Sequence, residues 1–231
     1  MWRFALAMAI CGLGWPARSV EYVGVELVLA VDTSISVSAD EYRLQMQGIA
    51  DALRSDQVVG LIGQHPGGVA MTLVHWSLGS QNRQAVGWQL LSYPASVYAF
   101  ASAVETAPRS GTGRGTSISD AILYSVKLIE KNSYAGDRRK IDLSGDSRHN
   151  SGPLPGFARD LAVAAEITVN GLILPDGDRD LAAYFHAYVI GGEDAFVMQA
   201  ARDEDFATAM RRKLSRELGA VAALPVAPSG G

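Results

Sequence analysis

The stretch Val25-Glu26-Leu27-Val28-Leu29-Ala30-Val31-Asp32-Thr33-Ser34-Ile35-Ser36 decides how this chain is read. Its first seven residues form an apolar, β-branched run interrupted by the single charge of Glu26. Such a run suits the centre of a parallel sheet, where helices cover both faces of the strand. The run stops at Asp32, and a carboxylate and two hydroxyls follow at spacing i, i+2, i+4. In open α/β sheets ligands bind outside the carboxyl ends of the strands, and Asp32, Ser34 and Ser36 stand at such an end. All three offer oxygen, the donor that hard cations such as Mg²⁺ or Ca²⁺ take. The same residues also suit a helix N-cap and its turn, so the rest of the chain has to choose between the two readings.

Downstream, strand and helix patterns alternate. Ser38 with Glu41 three residues on makes a capping box before an amphipathic helix that runs to about Arg54. His65-Pro66-Gly67-Gly68 is a turn. Val69 to Trp76 reads as a strand, and Arg83 to Leu91 as its antiparallel partner across Gly79-Ser80-Gln81-Asn82. A helix starts at Tyr93-Pro94 and ends near Thr106, and the glycine-rich loop Pro108 to Gly115 follows. The next helix carries apolar Ile118, Ala121, Ile122, Val126 and Ile129 at helical spacing. Asn132 to Asp137 reads as a loop and Arg139 to Ser144 as a short strand. Then come a helix (Leu154 to Ala165), a central strand (Thr168 to Leu174), a helix (Asp180 to Tyr188), a short strand (Ala195 to Gln199) and a closing helix (Asp203 to Leu218). This order predicts an α/β fold: a doubly wound, mostly parallel sheet with one antiparallel edge strand and helices on both faces. Trp76, Trp88 and Tyr93 read as core or edge packing.

With 231 residues, 48% hydrophobic and 19% charged, the chain has a globular composition and length for one substantial α/β domain. Its formal net charge of −4 argues against a nucleic-acid partner, which calls for a basic face. Residues 1–19 have the pattern of a secretory signal peptide: Arg3, then an apolar run from Phe4 to Trp15, then Ala17-Arg18-Ser19 as the cleavage region. Cys11, the one cysteine, lies inside it, so a cleaved chain has neither disulfides nor a thiolate site. A cysteine-free exported chain suits the bacterial periplasm or the medium. No stretch reaches the length of a membrane span. Residues 20–218 read as one domain and the uncharged Ala/Pro/Gly/Ser-rich tail, 219–231, as disordered.

Three polar clusters follow strands or the glycine-rich loop: Asp32 with Ser34 and Ser36, Thr116 with Ser117 and Ser119, and Asp146 with Ser147. In a doubly wound sheet such positions converge on one edge. Together they offer two carboxylates and several hydroxyls, an oxygen shell for one divalent ion. A hydrophobic strand ending in DxSxS, a threonine of a glycine-rich loop before a helix, and an aspartate ending a later strand resemble a von Willebrand factor A-type (vWA) domain with its metal-ion-dependent adhesion site (MIDAS). The resemblance covers roughly Val23 to Leu218. Within it, Gln45–Ala50 (QMQGIA), Ser144–Gly152 (SGDSRHNSG) and Val189–Phe196 (VIGGEDAF) resemble a bacterial exported subfamily of unknown function, DUF1194-like. The resemblance implies that Ser34, Ser36 and Thr116 (Thr112 being the other candidate) touch Mg²⁺, Mn²⁺ or Ca²⁺ directly, and that Asp32 and Asp146 act largely through water. It also implies a protein partner that offers a Glu or Asp to the metal. This chain has Ser147 where the family pattern has glycine.

Other patterns are weaker. Gly111-Thr112-Gly113-Arg114-Gly115-Thr116 lacks the lysine and spacing of a phosphate loop. Asp176-Gly177-Asp178-Arg179-Asp180 lacks the glycine and glutamate of an EF-hand and reads as a solvated acidic loop. His75 reads as structural, and His149 as a residue near the site. A metal-assisted hydrolase or phosphatase is the alternative function, with His149 or one of the aspartates themselves as its base. There is no GxSxG elbow.

Overall fold

β1 (Glu21–Asp32) is the axis about which the sheet is built. A computed structural model describes residues 19–174, 178–200 and 205–219. The signal segment before Ser19, the tail beyond Gly219 and the Asp176-Gly177 pair of the acidic loop lie outside the described residues. On one side β1 pairs in parallel with β2 (Val69–Trp76), which carries the antiparallel edge strand β3 (Arg83–Leu91). On the other side it pairs in parallel with β4 (Tyr134–Gly145), followed by β5 (Ile167–Ile173) and β6 (Val197–Gln199). The strand order β3-β2-β1-β4-β5-β6 is that of a doubly wound sheet in which the chain switches direction beside β1. The predicted mixed α/β architecture is therefore the one observed.

Seven helices among the described residues cover the two faces. α1 (Ala39–Arg54), α2 (Asp56–Gly63), α3 (Pro94–Glu105) and α7 (Phe206–Leu218) pack on one face, over Leu27, Leu29, Val31 and Leu73. α4 (Ile118–Lys131), α5 (Pro155–Ala164) and α6 (Leu181–Tyr188) pack on the other, over Val28, Ala30, Ile141 and Val169. Alternate β1 residues feed opposite cores, as the period-2 pleat requires, and this explains why the whole run is apolar. Glu26 fits because its carboxylate is satisfied: Gly136 donates its N–H at 2.7 Å and Asn132 its Nδ2 at 2.5 Å. Gly48 lets α1 meet α7 closely, since a Cβ there would sit 2.6 Å from the Phe206 ring.

Three expectations need correction. Residues 134–137, read as loop, are the first third of β4, and Tyr134, Ala135 and Gly136 pair with Glu21, Tyr22 and Val23 of β1. No element was assigned to residues 55–64, yet they form α2, capped by the Ser55 hydroxyl, which accepts the Val58 N–H. Tyr93 does not pack in the core. It is exposed at the N-cap of α3, whereas Trp76 is fully buried.

α7 is fastened by charge as well as by apolar packing. Lys213, fully buried, lies 2.6 Å from Asp142 of β4 and 3.0 Å from Glu217. Asn170 of β5 donates to Glu217 at 2.7 Å, and Lys140 donates to the Glu217 carbonyl at 2.8 Å. Burial pushes Asp142 up to about 6 against the pull of Lys213. Burial alone would lower Lys213, but Asp142 and Glu217 carry it above its ordinary value.

Candidate metal centre

Asp32 ends β1 opposite Trp76 of β2, with its side chain fully buried. One carboxylate oxygen, Oδ1, accepts the Ser34 N–H at 2.7 Å. The other, Oδ2, is buried without a hydrogen-bond partner. Burial, the largest influence, pushes the Asp32 carboxyl up to about 7. The Ser34 amide works against it, nearby Asp146 adds to it, and Arg109 draws it back. A buried oxygen left unmatched costs free energy that a cation would recover.

The turn after Asp32 sorts its side chains. Thr33 points inward, its N–H on the Trp76 carbonyl at 2.8 Å and its hydroxyl on the Ser110 carbonyl at 3.0 Å. Ser34 and Ser36 point together, their hydroxyls 2.9 Å apart. The Ile35 N–H donates to the Gly113 carbonyl at 3.0 Å, which ties the turn to the glycine-rich loop. That loop needs its glycines: Gly111 has φ +73°, and a Cβ there would meet the Gln81 carbonyl at 2.5 Å.

Thr116 is buried at the end of this loop, where its N–H donates to Asn150 Oδ1 at 2.9 Å and its carbonyl accepts the Asn150 N–H at 3.0 Å. Thr112 is exposed. Ser117, in the same sequence cluster, is committed to starting α4. Its hydroxyl donates to Asp120 at 2.6 Å and accepts the Asp120 N–H. Asp146 lies one residue beyond β4, half-buried, and accepts the Ser147 hydroxyl at 2.6 Å. Ser147 does not have a positive φ, so a serine in place of glycine is unstrained. β4 approaches Asp32 closely at Gly145, where a Cβ would lie 3.5 Å from Asp32 Oδ2 and 3.2 Å from Trp76.

The three loops thus meet at the carboxyl end of the sheet. Hydrogen bonds join the Asp32 turn to the glycine-rich loop and that loop to the Asp146 segment, and Asp146 acts electrostatically on Asp32. Among the described residues, no three His, Cys, Asp or Glu side chains gather as a metal cluster, so an ion here would depend on hydroxyls beside two carboxylates. The donor set fits a hard divalent cation: oxygen throughout, one buried carboxylate oxygen unspent, and a serine pair facing the same way. His149 is half-buried with Nε2 3.4 Å from the Gly152 carbonyl, and His75 is buried between Tyr42 and Ser110 as a structural residue.

Two positions were missed in the sequence. Asn150 sits in the SGDSRHNSG segment but bears no metal-ligand signature, and its role as the brace of Thr116 arises only in three dimensions. Arg109 donates through Nη2 to the carbonyls of Thr33, Ser34 and Val37 at 3.1, 2.8 and 2.7 Å. In the sequence it is one arginine at the edge of a loop.

A family model described as a protein of unknown function, DUF1194, matches residues 22–222. No curated protein sequence matches the chain. Among solved structures, proximal thread matrix protein 1 from the mussel byssus is 16% identical with a TM-score of 0.63, over 86% of this chain and 47% of that one. A form of the same mussel protein described as having a zinc-occupied MIDAS motif aligns over 87% of this chain and 48% of its own, with 15% identity and a TM-score of 0.57. The vWF domain of the type V pili tip protein Mfa5 from Porphyromonas gingivalis is 12% identical with a TM-score of 0.62, over 89% of this chain and 98% of its own. The chain spans about half the length of the mussel protein. Together these likenesses show a vWA-type fold. No helix among the described residues is long and apolar enough to cross a membrane.

Proposed function

The chain belongs to the DUF1194 family and has the vWA-type fold, and from that premise we propose that it is an exported, divalent-cation-dependent protein-binding module. Ser34, Ser36 and Thr116 would hold Mg²⁺ (or Mn²⁺ or Ca²⁺) directly, with Asp32 and Asp146 acting largely through water. The ion would supply an electrophilic position for a Glu or Asp of a protein partner. The observation that carries this reading is the buried, partnerless Oδ2 of Asp32 beside the Ser34–Ser36 hydroxyl pair.

The chain's own residues do the positioning. Asp32 Oδ1 fixes the Ser34 backbone, Thr33 straps the turn to β2 and the following loop, and Asn150 holds Thr116 from both sides of its peptide. The mussel protein with a zinc-occupied MIDAS motif and the pilus tip domain are similar in fold. They support the adhesion-type reading by analogy, and fold alone does not set function. The pattern of residues 1–19 supports export.

Thermal melting in Mg²⁺ and in EDTA tests the site. The wild-type chain should show a metal-dependent shift that Asp32→Ala with Asp146→Ala abolishes, and a shift that survives in the double variant would sink the proposal. A pull-down from the exported fraction in Mg²⁺, eluted with EDTA, tests the partner. A screen of phosphate and carboxylate esters with and without EDTA tests the chemistry. EDTA-sensitive turnover would replace the binding module with a metal-assisted hydrolase or phosphatase.

A further inference from the structure

α5 is apolar on its outer side as well as its inner one. Pro155, Ala158 and Ala162 are buried, the two alanines within the core beneath. Outward, Leu154 at the N-cap is 77% exposed, Phe157 58% and Leu161 43%. Their spacing i, i+3, i+7 stacks them along one side of the helix, and exposed Ala164, a small residue, continues the row. A surface helix ordinarily turns charged or polar residues to solvent. α1 does so with Arg43 and Asp51, and α7 with Arg211 and Arg212. α5 has two charged side chains, Arg159 and Asp160, and they are spent on each other: Arg159 Nε donates to Asp160 Oδ1 at 2.8 Å. The outer face of α5 therefore carries a row of large apolar side chains and no net charge.

That combination selects the occupant. A partner recognised by charge finds no complement on this face. Two copies of the chain, each with a formal net charge of −4, can meet there without setting like charges against each other. A two-fold contact needs one patch that complements itself, and a neutral apolar row meets that need. At on the order of 200 Å² for a large apolar side chain, covering Leu154, Phe157 and Leu161 removes roughly 350 Å² of exposed surface per copy. With Asp160 and Ala164 at the rim, the contact of two copies comes near the total of about 1,000 Å² at which specific interfaces begin. We propose that the outer face of α5 is a two-fold contact between copies of this chain, in which Leu154, Phe157 and Leu161 of one copy pack against the same three residues of the other. An interface of this size makes a weak, concentration-dependent dimer. The contact does not depend on the cation site, and it leaves the carboxyl end of the sheet in each copy to a partner.

Sedimentation velocity of the purified chain in EDTA, over a wide range of concentration, tests the inference. The wild type should pass from monomer to dimer as the concentration rises. Phe157→Asp and Leu161→Asp should each raise the dissociation constant by roughly 30-fold or more, as loss of a central apolar anchor does. Both residues are exposed in the single copy, so both variants should keep the wild-type melting curve at dilutions where the chain is monomeric. A second measurement uses the cysteine content. With Cys11→Ser the chain has no cysteine. Near a two-fold axis a residue meets its own copy, so Phe157→Cys or Leu161→Cys in that background should oxidise to a covalent dimer. Tyr98→Cys, at an exposed position of α3 on the opposite face of the sheet, should not. A wild type that stays monomeric at every concentration would overturn the inference and leave the row to a different protein. A dimer that both aspartate variants leave intact would overturn it too, by placing the contact elsewhere on the molecule.

Discussion

At the residue scale, Asp32 carries an electrostatic penalty that a bound cation would relieve. Its carboxylate is fully buried, has one oxygen without a partner, and sits near a second carboxylate, Asp146. Folding raises its pKa to about 7, so the folded chain binds this proton more tightly than the unfolded chain. The penalty is present above about pH 7 and fades as the pH falls toward the ordinary carboxylate range. Asp32→Asn removes the charge and keeps an oxygen for the Ser34 amide. In EDTA at pH 8 it should be more stable than the wild type, by roughly 1–4 kcal/mol at the scale of 1.36 kcal/mol per pKa unit. The gain should shrink toward zero near pH 4, and the response to Mg²⁺ should be lost. Urea unfolding at both pH values checks this, and a variant less stable than the wild type at pH 8 would contradict it. Asp32, Ser34 and Ser36 stand out in the sequence as candidates because a β-branched run ends there in spaced oxygens, although that spacing equally suits a helix N-cap. Arg109 does not, because its partners are backbone carbonyls some 70 residues away, which no side-chain pattern records.

At the element scale, periodicity served best where a helix or strand has one buried face or two. α4, with apolar residues on one face, and the centre of β1, apolar except for Glu26, were read in place. The first third of β4, Tyr134-Ala135-Gly136-Asp137, is polar and glycine-containing. It becomes a strand because β1 offers it a partner at Glu21–Val23, so pairing overrides local preference. α2 was hidden by two glycines, Gly60 and Gly63, at positions where the structure leaves open space. α7 shows a different hazard. Nothing in the sequence of this closing helix marks Lys213, yet it is the buried counter-ion of Asp142 and Glu217. Lys213→Met leaves two buried carboxylates with less compensation and should cost about 3–5 kcal/mol near pH 8. Burial already holds Asp142 up to about 6. Removing its cation raises it further, so acid neutralises the stranded charge in the folded state first. The deficit of Lys213→Met relative to the wild type should therefore be smaller at pH 5.5 than at pH 8. An equal deficit at both would mean that packing, not charge, sets the role of Lys213.

At the scale of the whole molecule, the proposed site gathers residues from the ends of β1 and β4 and from the loop before α4, which only the completed doubly wound sheet brings together. An unfolded chain has no such site, so a bound ion must favour the folded state by mass action. Mg²⁺ at a hundred times its dissociation constant should add about 2.7 kcal/mol. For a domain of this size each kcal/mol moves the melting temperature by roughly 2–4 °C, so the total rise should be roughly 5–11 °C. EDTA should reverse it fully. The ion changes little of the surface exposed on unfolding, so urea curves with and without Mg²⁺ should differ in midpoint and share one slope. A midpoint that moves with a changed slope would place the effect of Mg²⁺ on the compactness of the folded or unfolded chain instead. That outcome would detach the ion from the meeting of the three loops, because an ion held by side chains from separate strand ends can act only on the state in which those ends are together.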